Sequence, residues 1–297
     1  MAKALRTAHP PISRGRARQL PFCISAVAWI DLLGYGSMIA EADLNPIDPR
    51  AKDAVIRLRA FHRIVATHSD RHFRTLVIND GAVVYRDLSL RDDGVTHDFL
   101  QRSHRLFEAI AGSEARNGWS GARMVLCAGF RARGSGRAID AAEARVRLIL
   151  ARLDAGEMQP EEAVREAASI QRYSDTIPQL QANFAFTRAY VADAAGSRAG
   201  LGGARMFVDT SIFMRGQPPP WVKHEAPIPF KDGRLGFDCV LVPVNGLQAP
   251  GKVGQRIPGL RTGLEIGEAI APTMALRDQI RASHGRKQHN RTDRSEL

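Results

Sequence analysis

Residues 22–37 read FCISAVAWIDLLGYGS, an apolar run of strand-forming residues carrying one charge, Asp31, and closed by Gly34-Tyr35-Gly36. The run from Phe22 to Leu33 has the length and composition of a buried strand. An acid at the end of such a strand is costly to bury unless something compensates it. Three readings meet that need: Asp31 caps the next helix, pairs with an arginine, or shares a cation with a second acid. The loop Leu33-Gly34-Tyr35-Gly36-Ser37 leaves the strand for a helix, which places backbone N–H groups and a helix N-terminus where oxyanions bind.

Working outward, a helix is expected after Gly36 and a second from about Pro49 to Thr67, with Ile56, Phe61, Ile64 and Val65 as its buried face. The stretch 73–89, FRTLVINDGAVVYRDLS, is two β-rich runs around Asn79-Asp80-Gly81, a hairpin signal. Thr96 reads as the N-cap of a helix carrying Phe99, Leu106, Phe107 and Ile110, and 122–130 as an interior strand. Two charged helices follow within 138–171, divided around Gly156 and with Pro160 opening the second. A helix after Pro178 holds Phe184, Phe186, Tyr190 and Val191. Strands are expected at 205–213 and 237–244, with a stiff Pro218-Pro219-Pro220 connector between them. Residues beyond Gly246 read as peripheral, with a helix from Leu264 to Ile280.

If the first strand pairs with the hairpin, Asp31 and Asp80 come together. Two close carboxylates repel, and a divalent cation resolves the repulsion. Carboxylates beside a glycine loop at a helix start describe a nucleoside triphosphate site, in which hard Mg²⁺ or Mn²⁺ bridges protein and phosphate oxygens. Asp80 alone is an ordinary turn residue. The histidines His62, His68, His72, His97 and His104 form no recognisable ligand set and read as surface residues.

The sequence Trp29-Ile30-Asp31-Leu32-Leu33-Gly34-Tyr35 resembles the first-strand motif of the class III adenylyl and guanylyl cyclases, aromatic-x-Asp-Ile/Leu-x-Gly-aromatic. The family's second metal aspartate lies on the following hairpin; here Asp80 follows Asp31 by 49 positions. The resemblance implies an α/β fold with a ferredoxin-like core, a central mostly antiparallel sheet and flanking helices. It also implies two Mg²⁺ or Mn²⁺ ions held by Asp31, Leu32 and Asp80, phosphates over Leu33, Gly34, Tyr35 and Gly36, and a base-reading acid at Asp175. Catalytic roles fall to Asn183 and Arg188, although their spacing is one residue longer than the family's Asn-x-x-x-Arg. The implied reaction is attack of the ribose 3′-hydroxyl on the α-phosphorus, releasing pyrophosphate and a 3′,5′-cyclic monophosphate. A homodimer with a composite site would bring Arg188 from a second copy. Leu76 stands where purine cyclases often carry a base-contacting Lys, and Arg188-Ala189-Tyr190 is similar to stand-alone bacterial cyclases, among them the pyrimidine cyclases of anti-phage systems. Cyclic UMP or CMP is the product this suggests. The other reading is a cyclase-like module that senses nucleotides without turning them over.

The domain limits expected are a basic tail at 1–20, a cyclase-like domain at 21–246 with its helical insertion, and a C-terminal extension at 247–297 ending in a basic tail. A net charge of +11 raises nucleic acid as a partner, but much of it is terminal: Lys3, Arg6, Arg14, Arg16 and Arg18, then Arg281, Arg286, Lys287, Arg291 and Arg294. No aromatic residues interleave with these charges, so solvated tails are favoured over a stacking platform for single strands. Cys23, Cys127 and Cys239 stand apart in apolar runs and read as buried thiols of a cytoplasmic protein. No apolar stretch reaches membrane-spanning length.

Overall fold

The computed structural model describes residues 22–133, 141–170, 177, 179–250 and 256–282. Both basic tails through residue 20 and from Arg286 onward, the glycine-rich stretch at 134–137, and Asp175 lie outside the described residues.

The first half of the chain is β1 (Phe22–Leu32), α1 (Tyr35–Glu41), α2 (Pro49–His68), β2 (Arg74–Ile78), β3 (Gly81–Asp87), α3 (Gly94–Arg116) and β4 (Ala122–Ala132). These strands lie in the order β2-β3-β1-β4, all antiparallel, which is the ferredoxin-like arrangement expected. β1 is central and pairs along its length with both neighbours, so its residues alternate cleanly between two faces. Ile24, Ala26, Ala28, Ile30 and Leu32 face one core, against Phe61 and Val65 of α2 and Phe99 and Leu106 of α3. Val27 and Trp29 face the other.

The second half carries α4 (Ala141–Asp154) and α5 (Pro160–Ala168), whose residues Ile149, Met158 and Ala163 form a small core of their own. Then come α6 (Phe184–Ala195), β5 (Met206–Asp209), β6 (Val222–His224), β7 (Ile228–Asp232), β8 (Phe237–Leu247) and α7 (Gly263–Ile270). β5 joins β4 in parallel, and β8 pairs with β5 on one edge and with β6 and β7 on the other, giving an eight-stranded, mostly antiparallel sheet. α6 covers the Val27–Trp29 face through Ala185, Ala189 and Ala192. It lies unusually close because Gly129 of β4 has no side chain: a Cβ there would meet the Ala185 amide nitrogen at 2.5 Å.

Several expectations need correction. Ile56 is 45% exposed, while Arg57 takes the inward position of α2 and is fully buried. Helix α3 begins earlier than Thr96, whose hydroxyl instead donates to the Arg261 carbonyl at 3.1 Å. β5 is shorter than 205–213, because the Asp209 carboxylate accepts from Ser211 N at 2.9 Å and turns the chain into a 3-10 segment. The extension beyond Gly246 is not peripheral: Leu260 and Ile266 belong to the main core. Its helix is interrupted at Ala271-Pro272 and resumes over 274–282. Cys127 is buried, but Cys23 and Cys239 are only partly so. His104 is buried on α3 rather than at the surface.

Candidate functional site

Asp31 is the next-to-last residue of β1. Directly opposite it stand Gly81 on β3 and Arg123 on β4. Asn79 and Asp80 form the two-residue turn between β2 and β3, with Asn79 in the left-handed region at φ 53°. The Leu32 amide donates to the Asp80 carbonyl at 3.2 Å, which fixes the turn against the end of β1. Topology therefore brings Asp31 and Asp80 together at one end of the sheet. The Asp80 carboxylate accepts from the Asn79 side chain at 3.0 Å.

Asp31 carries no compensation of the structural kind. Among the described residues its carboxylate makes no hydrogen bond or ion pair, and α1 is capped by Gly34 rather than by a side chain. Burial, then Asp193, then Asp80 push its carboxyl up to about 7, against the pull of Arg123 and Arg57. Arg123 cannot neutralise it fully because Asp193 occupies that guanidinium. Arg123 Nε donates to Asp193 Oδ1 at 2.5 Å and Nη2 to the Asp193 carbonyl at 2.8 Å, while Trp29 Nε1 donates to Oδ2 at 3.2 Å. Asp193 is thus the residue that docks the end of α6 beside Asp31. Its position in YVADAA, an acid on a nearly uncharged helix, is the signal the sequence offers for it.

The loop after Asp31 is built rather than slack. Leu33 N donates to the Gly121 carbonyl at 2.9 Å, so its amide is not free for phosphate, and Leu33 O accepts from Arg57 Nη2 at 2.9 Å, which pins the loop. Gly34 turns in the left-handed region at φ 72°, with Ser120 Oγ 3.0 Å from where a Cβ would lie. Tyr35 is a core residue, its phenol pushed up by burial and by Asp80. Gly36 and Ser37 are exposed at the start of α1. The Leu32 side chain is 2% exposed, so only its backbone carbonyl could reach an ion.

The two residues given catalytic roles sit elsewhere. Asn183 is the N-cap of α6: its Oδ1 accepts from Ala185 N and Phe186 N, and its Nδ2 donates to Ser25 Oγ and Gln179 O. At 2% exposure it has no polar atom left for a substrate. Arg188 is neither solvated nor beside Asp31. Its Nη2 donates to Asp209 Oδ2 at 3.0 Å, and its guanidinium stacks over Phe237. Asp209 follows Val208, which pairs with Leu126, so this anchor lies about four residues (~13 Å) along the sheet and two strands (~10 Å) across from Asp31. Asp31 with Asp80, and Arg188, are separate clusters of one chain.

Among the described residues no three His, Cys, Asp or Glu side chains converge as a closed metal cluster. A two-carboxylate set does fit Mg²⁺ or Mn²⁺, which take one or two protein carboxylates and complete their shell with water and phosphate. An unpaired, half-buried Asp31, its carboxyl pushed up to about 7 by burial first and then by Asp193 and Asp80, is the observation that supports this fit.

Among solved structures, the crystal structure of the guanylyl cyclase Cya2 aligns at a TM-score of 0.46 and 12% sequence identity, over 79% of this chain and 98% of that one. No family model matches the chain, and no curated protein matches it. At that level of similarity the residues, not the likeness, decide what the site can do. Among the described residues no helix is long and apolar enough to cross a membrane.

Proposed function

We propose that the chain is a nucleotide cyclase that converts a nucleoside triphosphate to its 3′,5′-cyclic monophosphate and pyrophosphate. The observation that carries this reading is the convergence of Asp31, uncompensated at the end of β1, with Asp80 on the turn bonded to Leu32. Divalent ions bound there would lower the pKa of the attacking hydroxyl and neutralise phosphate charge. The protein's own part is positional. The β1–β3 register and the Leu32–Asp80 backbone bond hold Asp31 and Asp80 at one end of the sheet, Arg57 and Gly121 lock the loop, and α6 shields one side from water.

A head-to-tail homodimer belongs to this proposal, because only a second copy could carry Arg188 to the aspartates. The outer face of α6 supports it: Phe184 is 56% and Tyr190 49% exposed on a helix that is apolar on its inner face too. A pyrimidine triphosphate is the substrate class we favour, since Leu76 offers no cation to a purine. A second reading, a cyclase-like module that binds nucleotide without turnover, draws on Asn183 being spent as a cap.

Incubation with each of the four ribonucleoside triphosphates and Mn²⁺, with products resolved by mass, tests the proposal. A cyclic pyrimidine monophosphate is expected. Absence of any cyclic product overturns cyclisation, and saturable nucleotide binding without product selects the second reading.

A further inference from the structure

A cavity of about 570 Å³ opens at the far side of α6 from Asp31, between the end of β5, the β7–β8 turn and the end of α7. Three arginines line it: Arg188, Arg215 and Arg261. Their nearby acids are largely spent. Asp209 is held by Arg188, and Glu265, close to Arg261, is held by Arg256 at 2.7 Å. Arg261 donates to the Ser211 carbonyl at 2.9 Å and has no acid partner among the described residues; Arg215 has neither a hydrogen bond nor an ion pair there. Burial lowers the pKa of Arg261, so its charge is under-solvated where it stands. Asp238 is the remaining acid of the lining and is exposed.

Two buried polar atoms at this cavity also lack partners. Among the described residues Arg188 Nε and Ser211 Oγ have no hydrogen bond. Leaving such atoms unmade costs about 1–3 kcal/mol each. A ligand that supplies acceptor oxygens removes that cost, and guanidinium groups suit phosphate geometry better than any other side chain. Arg188 lies deep, over the Phe237 ring at 5.3 Å, whereas Arg215 is exposed at the rim. Cations at two depths match an elongated polyanion better than a single carboxylate.

We propose that this cavity is a polyphosphate-binding site in which Arg188, Arg215, Arg261 and the Ser211 hydroxyl hold two linked phosphate groups. Within one chain the site is separate from Asp31 and Asp80; a triphosphate source rests on the dimer proposed above, whereas an effector source does not. Its phosphates come either from a nucleoside triphosphate presented by a second copy of the chain or from a free diphosphate acting as an effector.

The test is calorimetric titration of the full chain with inorganic pyrophosphate in buffer containing chelator and no divalent cation. Saturable binding near one per chain is expected. It should weaken at least about tenfold in Arg261→Gln and in Arg215→Gln, as loss of a charge-assisted hydrogen bond requires, and persist in the Asp31→Asn/Asp80→Asn double variant. Arg215 is exposed, so its replacement leaves the fold intact and keeps the test decisive if Arg261→Gln unfolds. Absence of wild-type binding, full affinity in the Arg215→Gln/Arg261→Gln double variant, or loss of binding in the aspartate variant would each overturn the proposal. Displacement of bound pyrophosphate by a nucleoside triphosphate assigns the phosphates to substrate; retention at saturating nucleotide assigns them to an effector. Failure of cyclisation removes the assignment to substrate and leaves the pyrophosphate-binding proposal and its variants' outcomes intact.

Discussion

Arg57 and Glu114 form an ion pair sealed from solvent behind the loop that leaves β1. Arg57 Nη2 donates to Glu114 Oε2 at 2.6 Å and to the carbonyls of Leu33 and Gly121, and Glu114 in turn accepts from Gly121 N at 3.1 Å. One guanidinium thus ties α2, α3 and the two loops flanking Asp31. Replacing either partner with Ala strands a buried charge and should cost about 3–5 kcal/mol, whereas Arg57→Met/Glu114→Leu should cost much less. Denaturant unfolding of the three variants checks this; equal losses in single and double variants would contradict it.

Asp31 should make stability fall with pH. Its folded-state pKa of about 7 lies above the value near 3.9 of an unfolded aspartate, so the native state binds the extra proton between those values. The stability that neutral Asp31 allows is complete below about pH 4 and is lost as pH rises through 7. In metal-free buffer, Asp31→Asn should raise Tm relative to the wild type at pH 8 and much less at pH 5. Mn²⁺ should close the gap at pH 8 by stabilising only the wild type. A Tm difference identical at both pH values would exclude this origin.

Asn183→Ala should act on stability before it acts on chemistry. It removes the cap of α6 and leaves Ser25 Oγ without its donor, for a loss of about 1–2 kcal/mol and several degrees in Tm. Asn183→Asp keeps the acceptor and should recover part of the loss. A variant of wild-type Tm with abolished turnover would return Asn183 to the reaction.

The separation of Arg188 from Asp31 gives the dimer a direct test. Asp31→Ala and Arg188→Ala chains, each inactive alone, should regain about a quarter of wild-type turnover when mixed with free subunit exchange. Half of the dimers are then mixed, and one of their two sites receives both intact halves. No recovery despite demonstrated exchange would separate the two residues functionally.

The sequence made the central strand, the hairpin and the flanking helices legible because each carries its own periodicity or turn chemistry. Asp31 and Asp80 could be joined because the strand and hairpin signals were both local. The rest depended on long-range placement. Ile56 was a better apolar residue than Arg57, but Arg57 had Glu114 waiting at a separation of 57 residues. Asn183 carried a motif-like position, yet a cap and a substrate contact look alike until Ser25 and Gln179 are in place. Asp193 and the arginine cavity had no local signature, since each is assembled from segments that meet only in the folded sheet.

The central position of β1 also has a kinetic consequence. Among the described strands it is the first to be synthesised, yet it is flanked on both sides by strands completed later, and Trp29 is covered only when α6 arrives more than 150 residues downstream. A nascent chain that has reached residue 132 can close β2-β3-β1-β4 while leaving a whole apolar face of that sheet bare. Long-range closure of this kind is slow, and exposed sheet faces associate while they wait. Fragments ending before α6 should therefore collect in inclusion bodies, and the full chain should refold better when dilute and cold than when concentrated and warm.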